Sequence, residues 1–256
     1  MFRRDPFGHL LWIKRTLIRL IGYFTWSRYV RKNTITIEGA EFLQGLPDRN
    51  VLFVSNHQTY FADVIAFLHV FCAVKNGQGN SIEDKSYLRN PRINSYFVAA
   101  EETMRKGILP RIFAYVGSVS IQRTWKQGSK DVNRKVRMDD ISNIGTALSD
   151  EWVINFPQGT TKPYAKGRRG VVLILKKYNP VIVPVVIDGF RRAFDKRGLH
   201  LKKKGVNLSI RFKPVMNIDT TKPADDVLAE LMDAIEQSEK FQAGLPRREA
   251  ADGRRE

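Results

Sequence analysis

Cysteine is all but missing from this chain. Cys72 stands alone among 256 residues, which excludes an intramolecular disulfide framework and any cysteine-clustered zinc site and fits a reducing compartment. Histidine is nearly as scarce, with His9, His57, His69 and His200 the whole supply, so imidazole chemistry has few places to occur. A long apolar run is lacking too. In residues 7–28, Lys14, Arg15 and Arg19 interrupt every window of the ~18 to 20 apolar residues that a membrane span requires. Those basic residues inside the run, with no small-residue cleavage site after it, also fit a secretory signal poorly. Acidic side chains fall short of basic ones: 26 Asp and Glu face 43 Lys and Arg, for a formal charge of +17 and a pI near 10.1. Such an excess predicts an anionic partner, whether nucleic acid, a phospholipid surface or an acidic phosphorylated substrate.

What is present is a globular composition. A hydrophobic fraction of 43% supports a sizeable core and excludes disorder for most of the chain. The length suits one large domain with a small appendage. The appendage is residues 1–33, an amphipathic helix. At about 100° per residue, Leu10, Ile13, Leu17, Leu20, Ile21 and Phe24 share one arc, with Arg15, Arg19, Trp12 and Trp26 on the other side. That pattern predicts a helix lying in an anionic bilayer interface, with Trp12, Leu17, Ile21 and Phe24 as interface residues. The alternative is that the stripe docks on the protein's own core.

Residues 34–242 form the expected main domain. Apolar runs of strand length at 34–38, 50–55, 96–99, 116–122, 152–156 and 181–187 alternate with helical stretches at 63–74, 109–115, 132–148 and 171–178. A late strand at 207–212 and a final helix at 224–239 complete it. Alternation of this kind predicts an α/β fold: a mixed, largely parallel sheet flanked by helices. Residues 243–256, rich in charge and small side chains, read as a disordered tail.

Chemistry concentrates at the ends of buried strands, where open α/β sheets gather ligands. The run from Ser55 to Asp63 contains Asn56, His57 and Asp63. A neutral imidazole takes a proton from a hydroxyl near neutral pH, and a neighbouring carboxylate fixes its tautomer and stabilises the imidazolium. Read without a catalytic role, His57 caps the turn and Asp63 complements the dipole of the following helix. A second segment, Pro157-Gln158-Gly159-Thr160-Thr161-Lys162, offers a glycine, hydroxyls, an amide and a lysine suited to phosphate oxygens. A third, residues 117–123, delivers Arg123 at the end of a strand, and a fourth contains Val183-Pro184-Val185.

In this order the four blocks resemble the glycerolipid acyltransferase family, whose best-known members are the lysophosphatidic acid (1-acylglycerol-3-phosphate) acyltransferases. The resemblance covers roughly residues 45–190 and extends to Gly167-Arg168-Arg169-Gly170. Three departures stand out. Five residues rather than four separate His57 from Asp63, so the turn must bulge if the pair is to meet. Gln158 and Thr161 replace the glutamate and arginine of Phe-Pro-Glu-Gly-Thr-Arg, with Lys162 next in line as the cation. Phe97-Val98-Ala99-Ala100 ends in alanine where the family has lysine.

The resemblance implies an O-acyltransferase, peripheral or monotopic on the cytoplasmic face of a membrane and acting in phospholipid biosynthesis. The acyl group would come from an acyl-CoA or acyl-carrier-protein thioester and go to a lysophospholipid hydroxyl. Under that reading His57 and Asp63 are catalytic, and Asn56, Arg123, Gln158, Gly159, Thr160, Thr161 and Lys162 bind substrate. No cofactor and no metal are expected, and the partners are an anionic membrane surface, the lysolipid and the donor's carrier. A second acceptor class, a lysolipid such as a hydroxy-acylated amino acid, is motivated by Gln158 and Thr161. Nucleic-acid binding would account for the charge and for Lys202-Lys203-Lys204, but no helix-turn-helix, zinc or aromatic-basic strand signature accompanies them.

Overall fold

The computed structural model describes residues 3–91, 95–104, 107–122, 126–127, 130–131 and 137–243. Among these residues seven strands make one sheet: β1 (Thr34–Glu38), β2 (Val51–Ser55), β3 (Tyr96–Ala100), β4 (Ser118–Ile121), β7 (Val153–Asn155), β8 (Val181–Asp188) and β9 (Asn207–Phe212). A two-stranded ribbon, β5 (Lys126–Gln127) with β6 (Lys130–Asp131), stands apart. The sheet order is β1-β9-β8-β2-β7-β3-β4, and each described pairing in it is parallel except β8 with β9. This is the mixed, mostly parallel α/β sheet expected from the alternation of strands and helices.

The sequence of β2 explains its place at the centre. Val51, Leu52, Phe53 and Val54 are each fully buried, and a large aliphatic or aromatic side chain taken from water contributes about 1.5–3 kcal/mol. A strand apolar on both sides needs cover on both faces. Val51 and Phe53 enter the cluster formed with α1 (Leu11–Val30), α2 (Ala62–Lys75), α4 (Ile108–Gly117) and α7 (Phe190–Ala193). Leu52 and Val54 enter the one formed with α5 (Met138–Asp150), α6 (Gly170–Tyr178) and α8 (Ala224–Ala234). Short helices α3 (Glu101–Met104) and α9 (Glu239–Ala243) complete the set.

Several element boundaries differ from the sequence reading. Val116 and Gly117, expected to open a strand, close α4 instead, and the strand runs from Ser118 to Ile121. The final helix stops at Ala234 rather than running to residue 239, because Glu236 adopts a left-handed φ of 59° and Gln237 N–H closes back on Met232 O at 2.8 Å. The helix expected over 132–148 is described from Met138 to Asp150, its first residues, 132–136, lying outside the described residues. So does the tail from residue 244 onward.

The N-terminal helix presents a different face to the protein from the one its apolar arc suggested. Its buried residues are Lys14, Ile18, Gly22, Thr25, Trp26 and Tyr29. Buried Lys14 is tolerable because its ammonium lies 3.2 Å from Asp5 and 4.1 Å from the centre of the Tyr96 ring. Burial still pulls its pKa below the usual lysine value, with Asp5 opposing. Gly22 admits Leu88, whose Cδ2 would stand 2.4 Å from an added Cβ. Trp26, assigned by the sequence to the polar side, is buried and donates its indole N–H to Ile82 O at 2.7 Å. Leu17 and Ile21 are half-buried against the core. Trp12, Leu20, Tyr23 and Phe24 stay exposed, Phe24 at 78%. Among the described residues no helix is long and apolar enough to cross a membrane.

His69 on α2 has a structural role. It is buried between Thr25 Oγ1 at 3.0 Å and Tyr87 Oη at 2.8 Å, and burial lowers its pKa to about 3. The unfolded chain protonates this imidazole near pH 6.5 while the folded one resists until about 3. The folded state therefore loses stability as pH falls through that window, at up to ~1.4 kcal/mol per pH unit. Thermal unfolding of His69→Gln should show a shallower decline between pH 7 and 4.5 than the parent protein, and an unchanged slope would refute the assignment.

Candidate active site

β2 and β7 are neighbours and parallel, with Val54 opposite Asn155, so the segments leaving their carboxyl ends emerge side by side. From β2 comes the turn carrying His57, and from β7 the Phe156–Gly159 turn. The two meet directly: the His57 ring stacks on Phe156 with centroids 3.9 Å apart and planes 20° from parallel.

His57 and Asp63 are in contact despite the extra residue between them. His57 Nδ1 lies 3.0 Å from Asp63 Oδ2. Asp63 is fully buried in the first turn of α2, where the helix dipole favours an anion. It accepts the N–H groups of Gln58 at 2.6 Å and Thr59 at 3.0 Å on Oδ2, and the Thr59 hydroxyl at 2.7 Å on Oδ1. Such a carboxylate holds the tautomer with its proton on Nδ1 and leaves Nε2 for chemistry.

His57 borders a cavity of about 630 Å³. Its lining combines apolar side chains, among them Val64, Phe97, Val98, Met104, Ile141 and Ile174, with the basic residues Lys166, Arg168, Arg169 and Lys196, the acidic Asp140, and Gly159 and Thr160. Gly159 takes a φ of +63°, which glycine adopts without strain, and its N–H closes the turn on Phe156 O at 2.9 Å. Arg168 is drawn in by its own N–H, which donates to Pro157 O at 2.9 Å. Partial burial lowers its pKa from the usual guanidinium value. Arg169 also borders the cavity, and its guanidinium makes a bidentate pair with Asp225 at 2.8 and 2.5 Å.

Several residues expected at the substrate face elsewhere. Asn56 is buried, and its amide bridges β2 to β8 by exchanging two hydrogen bonds with the Ile187 backbone at 2.9 and 2.8 Å. Gln158 is also buried, donating to Ala165 O at 3.0 Å and to Gln237 Oε1 at 3.2 Å. An amide suits these positions because each offers a carbonyl to be satisfied. Thr161 is buried, and its carbonyl accepts from the Arg191 guanidinium. Lys162 is exposed and does not border the cavity. Arg123 lies outside the described residues. Asp140, which borders the cavity, accepts the Gln122 N–H at 2.9 Å. Of the seven expected substrate contacts, Gly159 and Thr160 line the cavity.

Arg168, Lys166, Lys196 and the Phe156 stack were not among the expected site residues. The Gly167–Gly170 element hinted at Arg168. No local pattern marked Lys196, which arrives from a loop after α7.

A comparison with known families matches residues 34–188 to the family described as Acyltransferase. No curated protein matches the chain. Among solved structures, the chain is similar to the 1-acyl-sn-glycerophosphate (LPA) acyltransferase PlsC from Thermotoga maritima, at 17% identity, a TM-score of 0.54, and coverage of 91% of this chain and 81% of that one. At that identity the likeness concerns the fold. The family match takes in more than half of the sequence, including the paired His57 and Asp63, and on that ground the chain belongs to the acyltransferase family.

Proposed function

We propose that the protein moves a fatty acyl group from an acyl-CoA or acyl-carrier-protein thioester to the hydroxyl of a lysophospholipid, 1-acylglycerol-3-phosphate being the first candidate, at an anionic membrane surface. The observation that carries this reading is the His57 to Asp63 contact at 3.0 Å, with His57 on the border of a cavity whose lining combines apolar side chains with several cations. His57 Nε2 takes the acceptor's hydroxyl proton as its oxygen bonds to the thioester carbon. The carbon–sulfur bond then breaks, and the imidazolium returns the proton to the departing thiolate. Asp63 holds the ring and stabilises its charged form. Side-by-side assay of lysophosphatidate and phosphate-free lysolipids on mixed vesicles tests the substrate. Transfer to neither would refute the proposal.

A second acceptor, the hydroxy-acylated amino acid type, is favoured by a specific observation: Gln158 and Thr161, which replace the family's glutamate and arginine, are buried and do not border the cavity. The cations bordering the cavity sit instead on residues 166–169 and 196. Either acceptor's anion is then expected to meet Arg168. Arg168→Gln should raise the acceptor KM by one to two orders of magnitude, as a charge-assisted contact contributes about 1.5–3 kcal/mol. The donor KM should stay constant. Equal changes in both, or in neither, would remove Arg168 from acceptor recognition.

A further inference from the structure

The lengthened turn between His57 and Asp63 raises a question of support. Four consecutive backbone N–H groups, from Gln58 to Phe61, leave the strand before α2 begins, and buried donors require partners. Asp63 accepts the first two. The other two go outside the turn: Tyr60 N–H donates to Lys196 O and Phe61 N–H to Arg197 O, each at 3.0 Å. The bulge forced by the fifth residue is therefore held by a second loop, remote in sequence.

That loop is itself tightly tied. Asp195 accepts Leu199 N–H at 2.8 Å and His200 N–H at 2.9 Å on its carboxylate, and Gly198 N–H on its carbonyl at 2.8 Å. Burial works against the Asp195 carboxylate, but these backbone donors hold its pKa below the usual range. From α1, Arg28 donates to Leu199 O at 2.7 Å, while Tyr29 Oη donates to Ala62 O at 2.9 Å. Gly198, at φ +74°, faces the turn so closely that an added Cβ would stand 2.4 Å from Ala62 N and 2.8 Å from Thr59 Oγ1. Thr59 Oγ1 is the hydroxyl that donates to Asp63.

We infer that the loop of residues 195–198 is the positioning element that holds the lengthened turn in its working geometry, with Gly198 allowing the close approach. The inference rests on the reading of His57 as the general base. Lys196, on the cavity border, belongs to the same loop, so positioning and pocket wall are built together.

The test uses the full chain. Gly198→Ala should lower kcat by about 100-fold, the scale of an ångström-sized misplacement, with both KM values within two-fold of the parent. Gly205→Ala imposes the same backbone strain at φ +70° with nothing within 4 Å, and it should leave kcat unchanged. In an Asp63→Ala background, where the contact with His57 is gone, Gly198→Ala should add little, because the two act through one contact. A readout free of turnover is the far-downfield proton resonance of His57 Nδ1 hydrogen-bonded to Asp63, expected in the parent and in Gly205→Ala and lost in Gly198→Ala. Normal kcat with the resonance intact overturns the inference, as does a kcat loss repeated in full in the Asp63→Ala background. If Gly198→Ala does not fold, Asp195→Ala, which loosens the loop from its outer side, should give the same selective loss, and its indifference would be equally fatal. A parent protein that acylates no lysolipid yet shows the resonance difference would refute the acyl-transfer reading and leave the positioning role standing.

Discussion

His57→Ala should remove nearly all acyl transfer from a protein that still folds. The ring stacks on one side chain, contacts one carboxylate and sits on a loop, so its loss disturbs little packing, whereas the reaction loses its proton acceptor. Asp63→Asn should be less drastic, at about 100-fold or more. Gln58 and Thr59 already donate backbone N–H groups to Oδ2, so an asparagine places its amide oxygen there and keeps the imidazole oriented. What it removes is the negative charge that stabilises the imidazolium formed as the acceptor loses its proton. Steady-state transfer from a labelled thioester, with melting temperature measured alongside, decides the matter. Near-parental turnover by either variant would sink the mechanism.

The second large effect concerns the membrane surface. Trp12, Leu20, Tyr23 and Phe24 project from α1 at 55%, 47%, 42% and 78% exposure, beside the exposed Arg15 and Arg19. Aromatic and aliphatic groups flanked by cations suit an anionic interface. Replacing both Leu20 and Phe24 with aspartate is expected to weaken binding to anionic vesicles by more than ~100-fold, since each side chain contributes about 1.5 kcal/mol of apolar burial and the new charges are repelled. High salt should weaken binding of the parent chain by screening the arginines. Undiminished flotation of the double variant would refute the interfacial role. Deleting residues 1–28 is a poor substitute for this experiment. It would strip Ile18 and Trp26 from the core and the Arg28 contact from the loop at Leu199, confounding release from the membrane with loss of fold.

Leu17 and Ile21 show why one helix could be read only in part. Their spacing correctly announced a helix with an apolar side, but periodicity ranks faces by composition, while docking selects the face that fits the neighbours. The selected face runs through Lys14, Gly22 and Thr25, which score poorly as apolar. Lys14 is acceptable there because Asp5 and Tyr96 receive it, and Gly22 because Leu88 needs the room.

The sequence by itself determined the alternation of buried strands and helices, the identity of the His57 and Asp63 pair, and the four blocks that carry the family resemblance. Each of these is local: hydrophobic period, turn residues and motif spacing are properties of neighbouring positions. The tertiary structure alone decided that the lengthened turn closes on Asp63, that Gln158 and Thr161 face inward, and that Arg168 and Lys196 border the cavity. Those outcomes depend on hydrogen bonds and close approaches between segments far apart in the chain, such as Gly198 against Ala62. No local pattern encodes them, because the partners meet only once the parallel sheet has brought its strand ends together.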